Sequence, residues 1–188
     1  MGYQAITAQG TQIMINIVLF EPEIPQNTGN IMRTCVALGA RLHLIEPLGF
    51  RLDEKRLKRS ALDYFAHLDY TVYEDYDDFE SKNPGTYVFL TRYGKKAYTM
   101  MDYQHVDGEL FLLFGKESTG IDKSILARHL DQCYRIPTTD KVRSINLSNA
   151  VALVAYEAAR QQGFQGLFSE EPEIYKGRDF LDQFIEED

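Results

Sequence analysis

One cation, two serines and two asparagines fall within seven residues at Arg143-Ser144-Ile145-Asn146-Leu147-Ser148-Asn149, directly ahead of an apolar helical pattern. Helix starts expose backbone N–H groups and a partial positive charge, and Ser or Asn is favoured there as a cap. One cap needs one such residue. The surplus points to a polar ligand held at a helix N-terminus, with capping plus solvation as the plainer alternative. Two further clusters have the same character. Asn27-Thr28-Gly29-Asn30-Ile31-Met32-Arg33 comes after the first apolar run, and Gly115-Lys116-Glu117-Ser118-Thr119-Gly120 follows the most apolar one. All three offer neutral hydrogen-bonding groups, with one arginine each in the 27–33 and 143–149 clusters. That suits binding a zwitterionic or nucleoside ligand and positioning a hydroxyl.

Other chemistries fit poorly. The 115–120 loop has two glycines at P-loop separation, but Ile121-Asp122 stands where a Lys-Ser/Thr pair would hold phosphates and magnesium. No Gly-x-Gly-x-x-Gly follows a strand, and no Gly-x-Ser-x-Gly elbow or Cys/His dyad offers a nucleophile. His43, His67, His105 and His129 are scattered without ligand spacing, so no metal is expected. Cys35 and Cys133 lie within regular elements and read as small buried hydrophobes of a reduced, cytoplasmic protein.

The elements that must position these clusters alternate in type. Residues 15–20, 42–46, 70–73, 87–90, 110–114 and 133–136 read as short buried strands. Residues 27–38, 75–82, 121–129 and 146–162 read as helices, with Gly39 and Gly163 as stops. Short apolar strands between helices mean an α/β domain, a mostly parallel sheet with helices on both faces. In such sheets ligands gather beyond the carboxyl ends of the strands, where all three clusters fall. Residues 1–13 read as a disordered extension or cloning remnant, 14–166 as the domain, and 167–188 as an acidic tail. No run of about 18 apolar residues occurs that could cross a membrane as a helix.

The net charge of −8 argues against a generally basic nucleic-acid binder. The charge is uneven, however. Residues 169–188 carry eight acids against Lys176 and Arg178, leaving 18 cations and 20 acids in the first 168 residues. A nearly neutral body can present a basic face, and Lys55, Arg56, Lys58 and Arg59 form the densest basic cluster. RNA is therefore compatible with the charge balance.

Taken together and in order, the three clusters resemble the three motifs of the SpoU-like RNA 2′-O-methyltransferases of the SPOUT superfamily. The opening Phe20-Glu21-Pro22-Glu23-Ile24-Pro25-Gln26-Asn27 is similar to the minimal, YibK-like subgroup, which methylates the wobble ribose of leucine tRNAs. The resemblance covers residues 14–166 and departs from its relatives at Ile121-Asp122, where Leu-Pro is common, and in the acidic tail. It implies a deep C-terminal trefoil knot, which no pattern reading would supply, since knots are nearly absent among folds. S-adenosylmethionine is the implied methyl donor, held by Leu90, Gly115, Glu117, Ile136 and Ser144. The implied partners are tRNA and a second copy of the chain, with no DNA or membrane. Arg33, Asn27, Glu117 and Asn149 are the implied catalytic residues, and Arg33 would complete the site of the other subunit. The cluster at 55–59 is the expected tRNA path. Two alternatives are methylation of another tRNA or rRNA ribose, and a non-catalytic RNA-binding module on the same scaffold.

Overall fold

The computed structural model describes residues 13–52 and 63–185. The basic cluster at 55–59 lies outside the described residues, as do residues 1–12. Within them the chain runs β1 (Ile15–Phe20), α1 (Pro25–Leu38), β2 (Arg41–Ile45), β3 (Tyr70–Tyr73), α2 (Tyr76–Lys82), β4 (Gly85–Leu90), β5 (Lys96–Ala97), β6 (Glu109–Phe114), α3 (Lys123–Arg128), β7 (Cys133–Arg135) and α4 (Leu147–Gln161). Short 3₁₀ turns occupy Asp63–His67, Tyr98–Met100, Leu130–Gln132 and Phe180–Phe184.

The seven strands form one sheet in the order β3-β2-β1-β6-β4-β7-β5, and every pairing is parallel. Strand alternation sorts the side chains into two cores. Ile17, Leu19, Leu110, Leu112 and Phe114 face α1 and α4, together with Ile31, Cys35, Val151, Val154 and Ala158. Val18, Phe20, Phe111 and Leu113 face α2 and α3, together with Phe79, Ile125 and Leu126. The expected parallel sheet with helices on both faces is what forms. Both cysteines are buried, and burial pushes the Cys35 thiol up to about 12.

Local chemistry explains the element ends. Pro25 opens α1, and Gly39 closes it in the left-handed conformation at φ 64°. Asp75 caps α2 by accepting from the Asp78 amide at 2.8 Å. The two-residue β5 was not legible, since Lys96 and Ala97 carry no strand pattern. It exists because the chain lies beside Tyr134 and Arg135. In the acidic tail Leu167 packs against the core, whereas Phe168, Ile174, Tyr175, Leu181, Phe184 and Ile185 are exposed.

A polar network crosses the second core. Asn16 Nδ2 donates to Leu110 O at 3.2 Å and to Glu109 at 3.1 Å, which leaves its oxygen to accept from His43 Nε2 at 3.0 Å. His43 Nδ1 is then the acceptor for the Tyr73 hydroxyl, 2.9 Å away. The ring is packed by Tyr73, Phe79 and Phe111. Burial, aided by the nearby Arg41 cation, pushes His43 down to about 4. The unfolded chain binds this proton more readily than the folded one. The contribution of His43 is therefore complete above pH 6.5 and is lost as pH falls towards 4, a difference of roughly 3 kcal/mol. Urea titrations at pH 7.5 and pH 4.5 should show this loss, and NMR titration should place the His43 midpoint well below 6. A midpoint near 6.5 would contradict the buried, neutral assignment.

Candidate active site

A cavity of about 680 Å³ opens beyond the carboxyl ends of β1, β4, β6 and β7. Three loops wall it, one from each side: residues 90–93 after β4, 115–120 after β6, and 136–147 leading into α4. Ile24 and Asn27, at the start of α1, complete the floor. Five residues expected to meet the cofactor, Leu90, Gly115, Glu117, Ile136 and Ser144, all line this one cavity.

Hydrogen bonds tie the three sequence clusters into one unit. The Glu117 carboxylate accepts from the Glu23 amide at 2.9 Å, the Ile24 amide at 3.3 Å and Asn27 Nδ2 at 2.8 Å. Asn27 in turn accepts from Asn146 Nδ2 at 3.0 Å. Asn146 Oδ1 accepts from the Ser148 amide at 2.9 Å and the Asn149 amide at 3.3 Å, so it caps α4. A carboxylate holding two amides at the entry of α1 also favours the positive end of that helix. Glu23 answers from the other side, accepting from the amide and hydroxyl of Ser118 at 2.9 and 2.8 Å. Those bonds hold its carboxyl below the usual range. Lys116 pairs with Glu21, and that contact raises the lysine. Glu21 itself sits at φ 48°, a left-handed conformation uncommon for a residue with a side chain, where the chain turns sharply out of β1.

Two asparagines join the clusters. Asn27 is buried, and its amide donates to Glu117 and accepts from Asn146, so it ties the first cluster to the other two where it lines the cavity. Asn146, which the sequence reading left in the background, is the joint between the first and third clusters. Its signal was present as the N-cap position itself. Glu117→Gln tests the joint. An amide with its oxygen at the Oε1 position still accepts from Asn27 and the Ile24 amide but presents a donor to the Glu23 amide, so the variant should lose about 2 kcal/mol of stability. Urea denaturation reads this directly, and an unchanged midpoint would show the clamp to be dispensable.

Two expected residues lie elsewhere. Arg33 sits on the exposed stripe of α1 with Gln26, Asn30 and Ala37, its guanidinium 5.7 Å from the centre of the Tyr64 ring, and it does not line the cavity. Asn149 is exposed on the first turn of α4, one residue short of the lining residue Ala150. Among the described residues no cluster of His, Cys, Asp and Glu could hold a metal, and no helix is long and apolar enough to cross a membrane.

Comparison with known proteins gives the arrangement a family. The tRNA (cytidine(34)-2′-O)-methyltransferase of Escherichia coli is 50% identical over 155 residues, covering 81% of this chain and 97% of the relative. That of Yersinia pestis is 48% identical over 165 residues, covering 84% of this chain and 100% of the relative. A solved structure described as giving insights into the 2-OH methylation of C/U34 on tRNA matches with a TM-score of 0.72 at 40% identity, over 81% of this chain and 99% of that one. An AdoMet-bound rRNA methyltransferase from Sinorhizobium meliloti matches with a TM-score of 0.67 at 26% identity, over 78% of this chain and 56% of that one. Residues 14–156 match the model of the SpoU rRNA methylase family, and the chain belongs to that family.

Proposed function

We propose that the protein transfers a methyl group from S-adenosylmethionine to the ribose 2′-hydroxyl of the wobble nucleotide of tRNA, position 34, in leucine tRNAs. The observation that carries this reading is the continuous Glu117–Asn27–Asn146 hydrogen-bond chain, which fastens all three motifs around one cavity. The relatives with this activity match the chain over most of their own length.

The cavity suits the methyl donor. Leu90, Ile136 and Leu147 supply apolar walls for a flat base, and the 115–120 turn comes so close on itself that only glycine fits at position 115. Ser144 contributes a hydroxyl with no hydrogen-bond partner among the described residues. When bound, the donor supplies an electrophilic methyl on a sulfonium. The chain's own part is to fix the donor by loop path, exclude water and hold the acceptor hydroxyl in line.

Arg33 is the proposed clamp on a phosphate or ribose oxygen of the acceptor. A guanidinium does not deprotonate in proteins, so Arg33 orients the hydroxyl and is not its base. Its place outside its own chain's cavity fits a site completed across a homodimer, with Arg33 reaching the cavity of the other subunit. An exposed stripe on α4, the helix that packs against α1, supports that assembly. Asn149, Leu153, Tyr156 and Arg160 recur at helical spacing, and Leu153 and Tyr156 are 46% and 44% exposed although apolar. The C-terminal trefoil knot belongs to the same proposal, with the loop before α4 threaded across the cavity.

Incubating the full chain with methyl-labelled donor and total tRNA, then mapping labelled ribose, tests the function. Label at the wobble ribose is expected. Label at another tRNA or rRNA ribose would change the substrate, and bound donor without transfer to any RNA would favour a binding module.

A further inference from the structure

The charge around the cavity exceeds what the methyl donor can use. Its lining carries five cations, Arg92, Lys116, Lys123, Arg135 and Arg143, against the single acid Glu117. Glu21 neutralises Lys116. The remaining four have no ion pair with any described residue, and Arg135 Nε is buried with no hydrogen-bond partner. S-adenosylmethionine carries two positive groups and one carboxylate. The single carboxylate can use one of the four unpaired cations, and the surplus suits a second anion in the cavity.

Two of these cations, Arg92 and Lys123, meet at one turn, and the turn lies against the backbone of a third, Arg135. The Thr91 amide donates to Tyr134 O at 2.9 Å, and the Gly94 amide donates to Thr91 O at 3.2 Å, closing the turn against β7. A Cβ on Gly94 would lie 2.4 Å from the Tyr134 carbonyl carbon, so the turn is pressed onto the strand end that carries Arg135. The turn displays Arg92 and Tyr93 as a pair. The guanidinium lies 4.7 Å from the ring centre and donates to the Tyr93 hydroxyl at 2.7 Å. Together with the Lys123 ammonium it holds the phenol below its usual range, which reports a positive field at the hydroxyl. The Tyr93 side of the turn faces solvent, with that residue 51% exposed.

We propose that Arg92, Tyr93, Lys123 and Arg135 form a phosphodiester subsite that holds the RNA backbone next to the methylated nucleotide. The preformed turn lets the cations meet the phosphate without ordering flexible side chains first, and the Tyr93 ring gives the neighbouring base a surface to stack on. The proposal rests on the reading of the protein as a tRNA methyltransferase and adds which side of the cavity the RNA enters. It gives RNA the charged side chains beside the donor's apolar contacts Leu90 and Ile136, so the two ligands should respond to different substitutions.

The test uses the full chain carrying Arg92→Gln and Lys123→Gln together. Both side chains are surface groups at the cavity mouth, so folding is not at issue. The KM for tRNA should rise about tenfold, kcat should fall much less, and calorimetric binding of S-adenosylhomocysteine should stay within about twofold. The slope of log Kd for tRNA against log salt should flatten by roughly 1.4 to 1.8, the loss expected for two cation–phosphate contacts. An unchanged slope and KM, or a loss falling on S-adenosylhomocysteine instead of tRNA, would overturn the subsite. Wild-type protein that methylates no RNA would instead overturn the functional reading. Binding of a single-stranded oligoribonucleotide would then still read the subsite, and would reject it if the double variant bound as tightly as the wild type.

Discussion

Gly115→Ala is expected to lower methyl transfer by a factor of about 100 or more, through loss of donor binding. A Cβ at this position would lie 2.2 Å from both the Gly120 carbonyl carbon and the Ile121 amide nitrogen. Those are backbone atoms, so no side-chain rotation relieves the contact and the turn must open. The turn is fixed on its other side by the Gly120 amide, which donates to Lys116 O at 2.9 Å, and by the Ser118 bonds to Glu23. Opening it therefore moves Glu117 and with it the joint to Asn27. The stability cost should be about 1 to 3 kcal/mol, the usual range for overpacking. Calorimetry with S-adenosylhomocysteine, run beside circular dichroism to confirm the fold, measures the binding loss. A folded variant with wild-type affinity would show that the loop path does not hold the donor.

Arg33→Lys should cost roughly 100-fold in turnover at saturating tRNA, since a displacement of about an ångström at the reacting centre has that order of effect. Lysine keeps the charge but not the planar fork that grips two oxygens at once. The distinction matters because a pure charge role would survive the change. Near-wild-type turnover would reject positioning by the guanidinium. A mixture of Arg33→Lys with an inactive cavity variant of the other subunit adds a second readout. Activity recovered in mixed dimers would show that Arg33 serves the neighbouring chain.

How far the sequence could be read differs between scaffold and site. The apolar runs of β1 and β6 lie in the buried middle of the sheet, where both faces are covered, so their composition alone identified them. Helix α1 announced itself through Ile31, Cys35 and Leu38, all of which face the core. Strand β5 could not be read, because two residues against the sheet edge take their conformation from β7 and not from their own pattern. In the site, motif resemblance selected Leu90, Gly115, Glu117, Ile136 and Ser144, and one cavity collects them. The division of labour within it was invisible. Nothing in the type of Asn27 says that both ends of its amide are already engaged, and nothing in Arg92 says that its partner is the next residue. Those facts depend on contacts made across 90 positions or more, or on the path of a turn, and neither leaves a local period.

The bonds that close the cavity join residues far apart along the chain. Glu117 meets residues 23, 24 and 27 across at least 90 positions, and Asn146 meets Asn27 across 119. During synthesis β1 and α1 leave the ribosome well before the segment that must be fastened to them, by several seconds at ordinary elongation rates of about 5–20 residues per second. Until Asn146 arrives, the Asn27 side chain lacks its second partner and the cavity lacks its third wall. A nascent or prematurely ended chain should therefore compete poorly for the cellular pool of methyl donor, however well its sheet has formed. The ability to bind arrives only with the last helix, so it reports that the whole domain has been made.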